Sequence, residues 1–235
     1  MMRSVVIAAM ILAAAPAQAA IWKGQVDAGA SAATGNTETI TLNAEMGLTY
    51  EDRLYRHSYN LLALYGEDGG SKSAERILAT IKNELKLGAK NTLFTRFEGE
   101  HDEFSSINQR FSGILGYGRL IFESAAGSSL NFDIGAGMRW TRVRGVETQW
   151  DPVGRSSVTY VGVIREGVKF TQAISVEGGQ EAIQTVSDTG LRFALIDRLY
   201  VKLGVNVKHT TDTAPGTDSI DTLSKVSVGW SFGPQ

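Results

Sequence analysis

Apolar and polar side chains alternate along most of the chain from residue 22 onward. Successive side chains of a β-strand point to opposite faces, so this alternation predicts strands with one apolar face and one polar face. The pattern recurs in residues 22–33, 129–141 and 220–232. It is clearest in residues 37–51, where every second position is apolar: Ile40, Leu42, Ala44, Met46, Leu48 and Tyr50. The chain is therefore predicted to be all-β.

Turn-forming residues divide the pattern into about twelve predicted strands, and bacterial outer-membrane barrels have an even number of strands. Lengths of about ten residues or more suit a tilted membrane strand better than the five or six of an average globular strand. In residues 54–66 and 156–182 the alternation is weakest, because apolar residues occupy both faces. The predicted fold is an antiparallel transmembrane up-and-down β-barrel with strands at residues 22–33, 37–51, 54–66, 74–88, 92–103, 106–122, 129–142, 156–170, 173–182, 189–196, 199–211 and 220–232.

The predicted connections differ in length at the two ends of the barrel. If the first strand runs outward from the periplasm, the inner turns are short: Asp52-Arg53, residues 88–91, residues 124–128, Thr171-Gln172 and Asp197-Arg198. Most outer loops are longer, at residues 66–73, 143–155, 184–188 and 211–219. Short periplasmic turns with longer outer loops are typical of membrane barrels.

Outward-facing aromatic residues are predicted to collect near the strand ends, where rings meet the lipid headgroups. The inner belt would contain Trp22, Tyr50, Tyr55, Phe132, Phe170 and Phe232, and the outer belt Tyr65, Trp140 and Tyr160. Glu166 does not fit, since it falls on the outward face between Ile164 and Val168. Either a bulge at Gly167 resets the register or the strand boundary lies elsewhere.

Residues 1–19 have the order of a secretory signal peptide. Arg3 precedes an apolar run from Val5 to Ala15, and Ala17-Gln18-Ala19 has the small-x-small form of a cleavage site. The apolar run is too short to cross a bilayer as a helix. We therefore expect a cleaved signal peptide at 1–19, then one barrel domain at 20–235 in the cell outer membrane. A soluble barrel with its apolar face inward is the competing interpretation.

Composition limits the chemistry and the partners. The 235 residues contain no cysteine, so disulfides and thiolate chemistry are absent. The formal net charge of −2 gives no indication of a nucleic-acid partner. The expected partners are outer-membrane lipid and lipopolysaccharide, together with the barrel-assembly machinery during insertion.

The polar faces of the predicted strands carry many charges, which are expected to line the lumen. Glu98, Glu100 and Asp102 share one face and could converge on a hard cation. Basic residues on neighbouring strands make a salt-bridge ladder the favoured interpretation, so no metal or cofactor site is predicted. The predicted lumen residues are Glu45, Arg76, Lys82, Glu84, Arg96, Glu98, Glu100, Arg110, Asp133, Arg139 and Arg192.

Two histidines, His57 and His101, are predicted to lie on the outer wall, where outer-membrane lipases carry a Ser–His pair. A catalytic triad needs a nucleophile within reach of the base, and a third group that orients the base. Neither neighbourhood contains a G-x-S-x-G sequence or an equivalent. Both histidines are therefore interpreted as interfacial, and no catalytic residue is predicted.

An ordered series of residues covers nearly the whole predicted mature chain: Trp22, Gly24, Gly29, Ser31, Gly35-Asn36-Thr37, Asp102, Phe104, Arg110, Gly113, Gly116-Tyr117, Gly135, Gly137, Arg139, Pro215-Gly216, Asp221-Thr222 and Trp230-Ser231-Phe232. The series resembles the salt-induced outer-membrane protein family, a Gram-negative family of undefined function. The resemblance implies an outer-membrane barrel whose expression is tied to salt stress in some members. One departure is the Gly233-Pro234-Gln235 ending, because barrel proteins usually finish on the aromatic residue that the insertion machinery reads.

The leading hypothesis from the sequence is a non-enzymatic outer-membrane barrel with a structural role in envelope or salt stress. The first alternative is a narrow channel for small polar solutes or ions, because about twelve strands can leave a modest lumen. A lipid-modifying enzyme on the barrel wall is the third hypothesis, disfavoured by the missing triad.

Overall fold

The computed structural model of the chain describes residues 21–34, 39–68, 71–103, 107–143, 148–180, 182–211 and 218–234. The predicted signal peptide, Gly35-Asn36-Thr37, Phe104 and Pro215-Gly216 lie outside them. Among the described residues, no helix has the length and apolar character needed to cross a membrane. The strands are β1 Ile21–Thr34, β2 Thr39–Glu51, β3 Tyr55–Asp68, β4 Ser71–Lys86, β5 Asn91–Asp102, β6 Ile107–Glu123, β7 Ser129–Val143, β8 Gln149–Arg165, β9 Val168–Gly178, β10 Ile183–Ile196, β11 Leu199–Thr210 and β12 Ile220–Phe232.

The twelve strands form one closed antiparallel barrel. Each strand pairs with its neighbours in sequence, and β1 pairs with β12 to complete the circle. The predicted fold class and strand number are confirmed. Ile21 and Phe232 lie at the same end of the barrel, called here the terminal end. The opposite end is called the far end, and the predicted orientation places the terminal end in the periplasm.

The barrel has an apolar outer wall and a polar interior. Met46 and Ile134 on the outer wall are 42% and 51% exposed, whereas Asp27 and Arg139 in the interior are 0% and 6% exposed. A soluble barrel with an apolar core would show the reverse distribution, so that interpretation is excluded. The alternation of the sequence becomes the two sides of one wall, because successive side chains point to opposite faces of a strand.

A side chain closes the turn between β2 and β3. The Asp52 Oδ1 atom accepts the backbone N–H groups of Leu54 and Tyr55, at 2.7 Å each. The Asp52 N–H in turn donates to the Tyr55 carbonyl oxygen at 2.9 Å. The N–H donors of Tyr55 and Leu54 hold the pKa of the Asp52 carboxyl below its usual range. Aspartate is common in turns because its short side chain can satisfy the following backbone in this way.

The strand boundaries predicted for residues 156–182 are wrong. The structure ends β8 at Arg165 and begins β9 at Val168, so the turn lies at Glu166-Gly167 and not at Thr171-Gln172. Gly167 has a φ of +75°, which suits glycine. Glu166 is exposed in the turn, so its carboxylate does not lie on the lipid-facing side of a strand. Val153 is buried inside the barrel, and such inward apolar residues hid the alternation in β8.

The connections at the far end are shorter than predicted. Residues 71–73 and 149–155 belong to β4 and β8, and residues 184–188 belong to β10. The one long connection at this end is the segment between Thr210 and Ile220. The expected contrast in length between inner turns and outer loops is therefore mostly absent.

Most predicted belt aromatics lie close to strand ends. At the terminal end the rings of Trp22 and Tyr50 lie 5.0 Å apart. Tyr160 was assigned to the other belt, and that assignment is wrong. Its ring lies 6.3 Å from Phe170 and 6.4 Å from Phe122, both at the terminal end. The error follows from the misplaced boundaries of β8. The remaining belt residues lie at their expected ends: Tyr55, Phe132 and Phe232 at the terminal end, and Tyr65 and Trp140 at the far end.

Two arginine substitutions at one depth would test which face meets lipid. Ile134 faces outward on β7, whereas Ser157 faces the lumen on β8 opposite Asp133. We expect Ile134→Arg to reduce barrel stability by about 2–4 kcal/mol, because a cation in the hydrocarbon layer is poorly solvated. Ser157→Arg should be tolerated, since Asp133 and water can solvate the new charge. Heat-dependent gel migration of envelope protein measures the folded fraction, and equal tolerance of both variants would refute the face assignment.

The closing seam gives a test of register. Gln25 on β1 pairs with Ser231 on β12, whereas Ser227 pairs with Gly29. Cysteines at 25 and 231 should form an intrachain disulfide on oxidation. Cysteines at 25 and 227 should not, because Ser227 lies four residues away along β12. The chain has no native cysteine to interfere. Crosslinking of the second pair in place of the first would contradict this register.

Candidate functional site: the charged lumen

The candidate site is the wall of the lumen, built from every second residue of all twelve strands. The structure places all the predicted lumen residues on the inner faces, and it brings most of them into ion pairs. The pairs form in three regions: the middle of the barrel, the far end and the terminal end.

In the middle, Glu45 on β2 holds two lysines from the other side of the closing seam. Its carboxylate oxygens lie 2.6 Å from the Lys202 ammonium on β11 and 2.5 Å from the Lys225 ammonium on β12. We call these three residues the central cluster. The strands β12 and β1 lie between β11 and β2 in the barrel. The central cluster therefore spans the seam with side chains, in addition to the backbone hydrogen bonds of β1 and β12.

A second bridge in the middle joins β4 to β7. The Lys82 ammonium lies 2.7 Å from the Asp133 carboxylate and 3.2 Å from the Glu84 carboxylate. It also lies 4.7 Å from the centroid of the Phe94 ring. Such a position over an aromatic face is favourable for a cation. Lys82 thus extends over β5 and β6 rather than along its own strand.

Toward the far end, Glu100 forms ion pairs with two arginines. Its carboxylate lies 2.6 Å from Arg76 and 2.5 Å from Arg110. Arg110 also donates from Nη1 to Gln184 Oε1 at 3.0 Å. We call Arg110 and Gln184 the constriction. Arg110 is on β6 and Gln184 on β10, with β7, β8 and β9 between them in the barrel. The constriction therefore crosses the lumen.

A further arginine pair lies beside the constriction, on β7 and β8. Arg139 lies 2.8 Å from Asp151 and 3.4 Å from Glu177, and Arg155 lies 3.5 Å from the same Glu177. Arg96 bonds Glu98 on its own strand. The prediction missed Asp151, Arg155 and Glu177. They fall in or beside the segments whose strand boundaries were misplaced, so their face could not be assigned.

At the terminal end, Glu51 lies 2.7 Å from both Arg56 and Lys86. Arg192 places its guanidinium 3.6 Å from the Tyr200 ring centroid and donates to Ser231 Oγ at 3.1 Å. Glu51, Lys86, Lys202 and Lys225 were also missing from the prediction, although they lie on polar faces of well-alternating strands, and applying the alternation to every strand would have found them. Arg56 was missing too, and it lies in β3, where the alternation is weak.

The lumen is not uniformly polar. Phe94, Ile114 and Val153 are each 3% exposed and pack together inside the barrel. Their strands, β5, β6 and β8, face the wall that carries the central cluster. This apolar group reduces the free cross-section. The sequence could have indicated it, since each residue alternates in phase with charged neighbours on its strand.

The acidic residues Glu98 and Glu100 of β5 form ion pairs. Glu98 and Glu100 are engaged by arginines, as the salt-bridge interpretation predicted. Within the described ranges, no group of three or more potential ligands is placed to hold a metal ion.

The histidines lie on the outer wall. His57 Nδ1 lies 2.8 Å from Asn83 Oδ1, and its ring lies 5.7 Å from the Tyr50 ring and 6.0 Å from the Tyr55 ring. His101 Nδ1 contacts the Asn108 carbonyl oxygen at 3.0 Å. In the described part of the chain, these side-chain contacts of His57 and His101 include no serine nucleophile.

Comparison with known proteins gives a family and a fold. The family described as "Protein of unknown function, DUF481" matches residues 26–232. A curated relative, "Uncharacterized protein YdiY" of Escherichia coli (strain K12), is 25% identical over 219 residues, which are 90% of this chain and 83% of the relative. Neither name refers to salt induction, so the salt-stress association remains a prediction.

Similar solved structures include porins and an outer membrane channel. The NanC porin superposes with a TM-score of 0.59 at 10% identity, covering 87% of this chain and 98% of its own. The KdgM porin in complex with disordered oligogalacturonate gives 0.50 at 9%, covering 88% and 99%. The COG4313 outer membrane channel from Pseudomonas putida F1 gives 0.50 at 11%, covering 93% and 97%. At these identities the likeness establishes the shared barrel fold.

The central cluster gives a stability test. We expect Glu45→Ala to lower the free energy of unfolding by about 1–3 kcal/mol, because Lys202 and Lys225 lose their shared partner. The control is Glu75→Ala, which removes the exposed pair of Glu75 with Lys72 and should cost about 1 kcal/mol or less. Urea unfolding in detergent measures both. A loss for Glu45→Ala no greater than that for the control would show that the cluster does not stabilise the seam.

Proposed function

The chain belongs to the DUF481 family, whose description gives no function, and we propose that it forms a narrow, non-enzymatic channel for small polar solutes or ions across the outer membrane. The observation that carries the proposal is the charged lining of the lumen, which runs from Glu51 at the terminal end to the constriction at the far end. Under this proposal the chain is exported through the predicted signal peptide before it inserts into that membrane.

Charged walls favour a water-filled passage over a solid plug. A barrel interior that served only to fill space could be packed with apolar residues at equal or greater stability, since buried ions carry a desolvation cost. Here the side chains of Lys86, Arg96 and Lys202 keep 22%, 22% and 21% of their surface exposed. Lumen water can therefore reach these charges, as in barrels with polar interiors.

The same wall limits the size of the solute. Barrels of about eight strands are filled by side chains, whereas 16–18 strands leave an open aqueous pore. Twelve strands lie between these cases. The constriction and the apolar group around Phe94 narrow the passage further. Small ions and small polar molecules are therefore the proposed solutes.

The comparisons are in keeping with this proposal, because the barrels of similar fold are named porins and channels. A structural role in envelope stress is the competing proposal. The observation that favours it is the extent of ion pairing across the lumen, since the central cluster and the constriction hold the wall together without any solute.

Conductance in planar bilayers tests the channel. We expect small single-channel currents from the wild-type protein, and currents larger on the order of twofold or more from Arg110→Ala, because the side chain that crosses the lumen is removed. Glu100 keeps Arg76 as a partner in this variant. The matched control is Arg119→Ala, on the same strand but exposed on the outer wall. This control should conduct like the wild type.

Each outcome of the experiment decides between the proposals. If the wild-type protein and Arg110→Ala are both folded and neither carries current, the channel is refuted and the structural role remains. Equal increases in Arg110→Ala and Arg119→Ala would show that the constriction does not limit flow.

A further inference from the structure

A row of three positive side chains crosses the inner wall of the barrel on β9, β10 and β11. Arg192 on β10 pairs in register with Lys169 on β9 and with Lys202 on β11. Residues in register share a face of the sheet, so all three side chains point into the lumen. Lys169 is the second residue of β9, which places the row toward the terminal end. We call these three residues the basic row.

The basic row departs from the charge pattern of the remaining lumen. Most charged residues that lie opposite each other there have opposite signs, as in Arg139 with Asp151, Arg155 with Glu177 and Lys208 with Asp221. In the described strands one other pair of cations, Lys82 and Arg96, is in register, and each of them forms an ion pair with a carboxylate. Like charges directly opposite in a sheet are destabilising. The basic row therefore needs a compensating charge.

The wall supplies little of that charge. In the part of the chain that the structure describes, neither Lys169 nor Arg192 forms an ion pair with a carboxylate. Lys202 does, but its partner Glu45 also serves Lys225. Lys169 is exposed, so its ammonium can reach lumen water and dissolved ions. The basic row thus presents positive charge that its own strands leave without a counter-charge.

Uncharged groups hold Arg192 in place. Its guanidinium stacks 3.6 Å from the Tyr200 ring centroid and donates from Nη2 to Ser231 Oγ at 3.1 Å. A guanidinium has five N–H donors, so this hydrogen bond leaves others for a ligand. Two acids face the lumen nearby without pairing with Arg192. Asp27 on β1 is fully buried, and Asp188 lies four residues from Arg192 along β10. Arg192 is therefore oriented but not neutralised.

We propose that the basic row binds the oxyanion of a small solute, a phosphate or carboxylate group, inside the lumen. The planar guanidinium of Arg192 can bind two oxygens of such a group at once. The ammonium of Lys169, on the neighbouring strand, adds a second positive charge to the same site. The proposal rests on the water-filled lumen of the proposed channel, and it deepens that function by naming small anions as the solutes.

Inorganic phosphate is the probe for a binding test that needs no current. Broadening of its phosphorus NMR signal measures binding to the folded barrel in a phosphate-free detergent. We expect the wild-type protein to broaden the signal and Lys169→Gln to weaken the affinity on the order of threefold to tenfold, because one charge of the site is lost. Lys169→Arg keeps the charge and should restore binding. Heat-dependent gel migration confirms that each variant is folded.

Two controls separate the basic row from general attraction by positive charge. Lys90→Gln removes the same charge from an exposed turn between β4 and β5, outside the lumen, and should bind phosphate like the wild type. Arg56→Gln removes a lumen cation that is paired with Glu51, and its loss of affinity should be smaller than that of Lys169→Gln. Absence of broadening with the wild-type protein, or a loss in either control equal to that of Lys169→Gln, would overturn the proposal.

Chloride current in planar bilayers distinguishes failure of the site from failure of the channel. Phosphate should reduce the wild-type current, and the half-blocking concentration should rise on the order of threefold to tenfold in Lys169→Gln. Phosphate binding in detergent without any current would refute the channel and leave the basic row as an anion site. Current without phosphate binding would refute the basic row and leave the channel.

Discussion

The pairing of every backbone amide inside the hydrocarbon layer is the constraint on which this structure depends. Hydrocarbon cannot replace a lost hydrogen bond, so an unpaired strand edge would cost several kcal/mol for each orphan group. The last pairing, between β1 and β12, joins residues that are most distant in the sequence. One glycine of β12 leaves room for the side chains on both neighbouring strands. Gly229 lies between Asp27 and Tyr200 on the neighbouring strands, and a Cβ there would lie 2.3 Å from the Asp27 carboxylate.

Closure also explains why most of the ion pairs join residues of different strands. A barrel encloses its polar faces, so cations and acids from strands far apart in the circle meet in the lumen. Glu45, Glu100 and Glu177 each engage two cations from different positions on the wall, and Glu51 engages three. In the proposed channel, an acid shared in this way keeps one partner when the other cation moves toward a passing anion.

The alternation of apolar and polar residues made the fold predictable. The strands in which this alternation fails were the ones predicted wrongly. In β2 and β7 the outer face is apolar and the inner face polar, so strand and face were assigned correctly. In β8 and β9, inward Val153 and outward Gln172 break the rule in opposite senses, and the turn at Glu166-Gly167 was missed. The charged residues of the lumen were predictable from the alternation. Their partners were not, because the contact between Arg110 and Gln184 depends on barrel curvature, which no local pattern encodes.

Each exception to the alternation now has its own physical meaning. Inward apolar residues such as Phe94 and Ile114 fill part of the lumen, where they exclude water and narrow the passage. Outward polar residues have no such use in lipid, because hydrocarbon can neither donate nor accept a hydrogen bond. The hydrogen bonds from Gln172 to Ser187 and from Thr189 to Gln172 lower the cost of that placement without removing it. On β3, β4 and β5 the outward side chains of His57, Asn83 and Thr95 are joined in the same way, so outward polar groups of this wall satisfy one another where hydrocarbon cannot satisfy them.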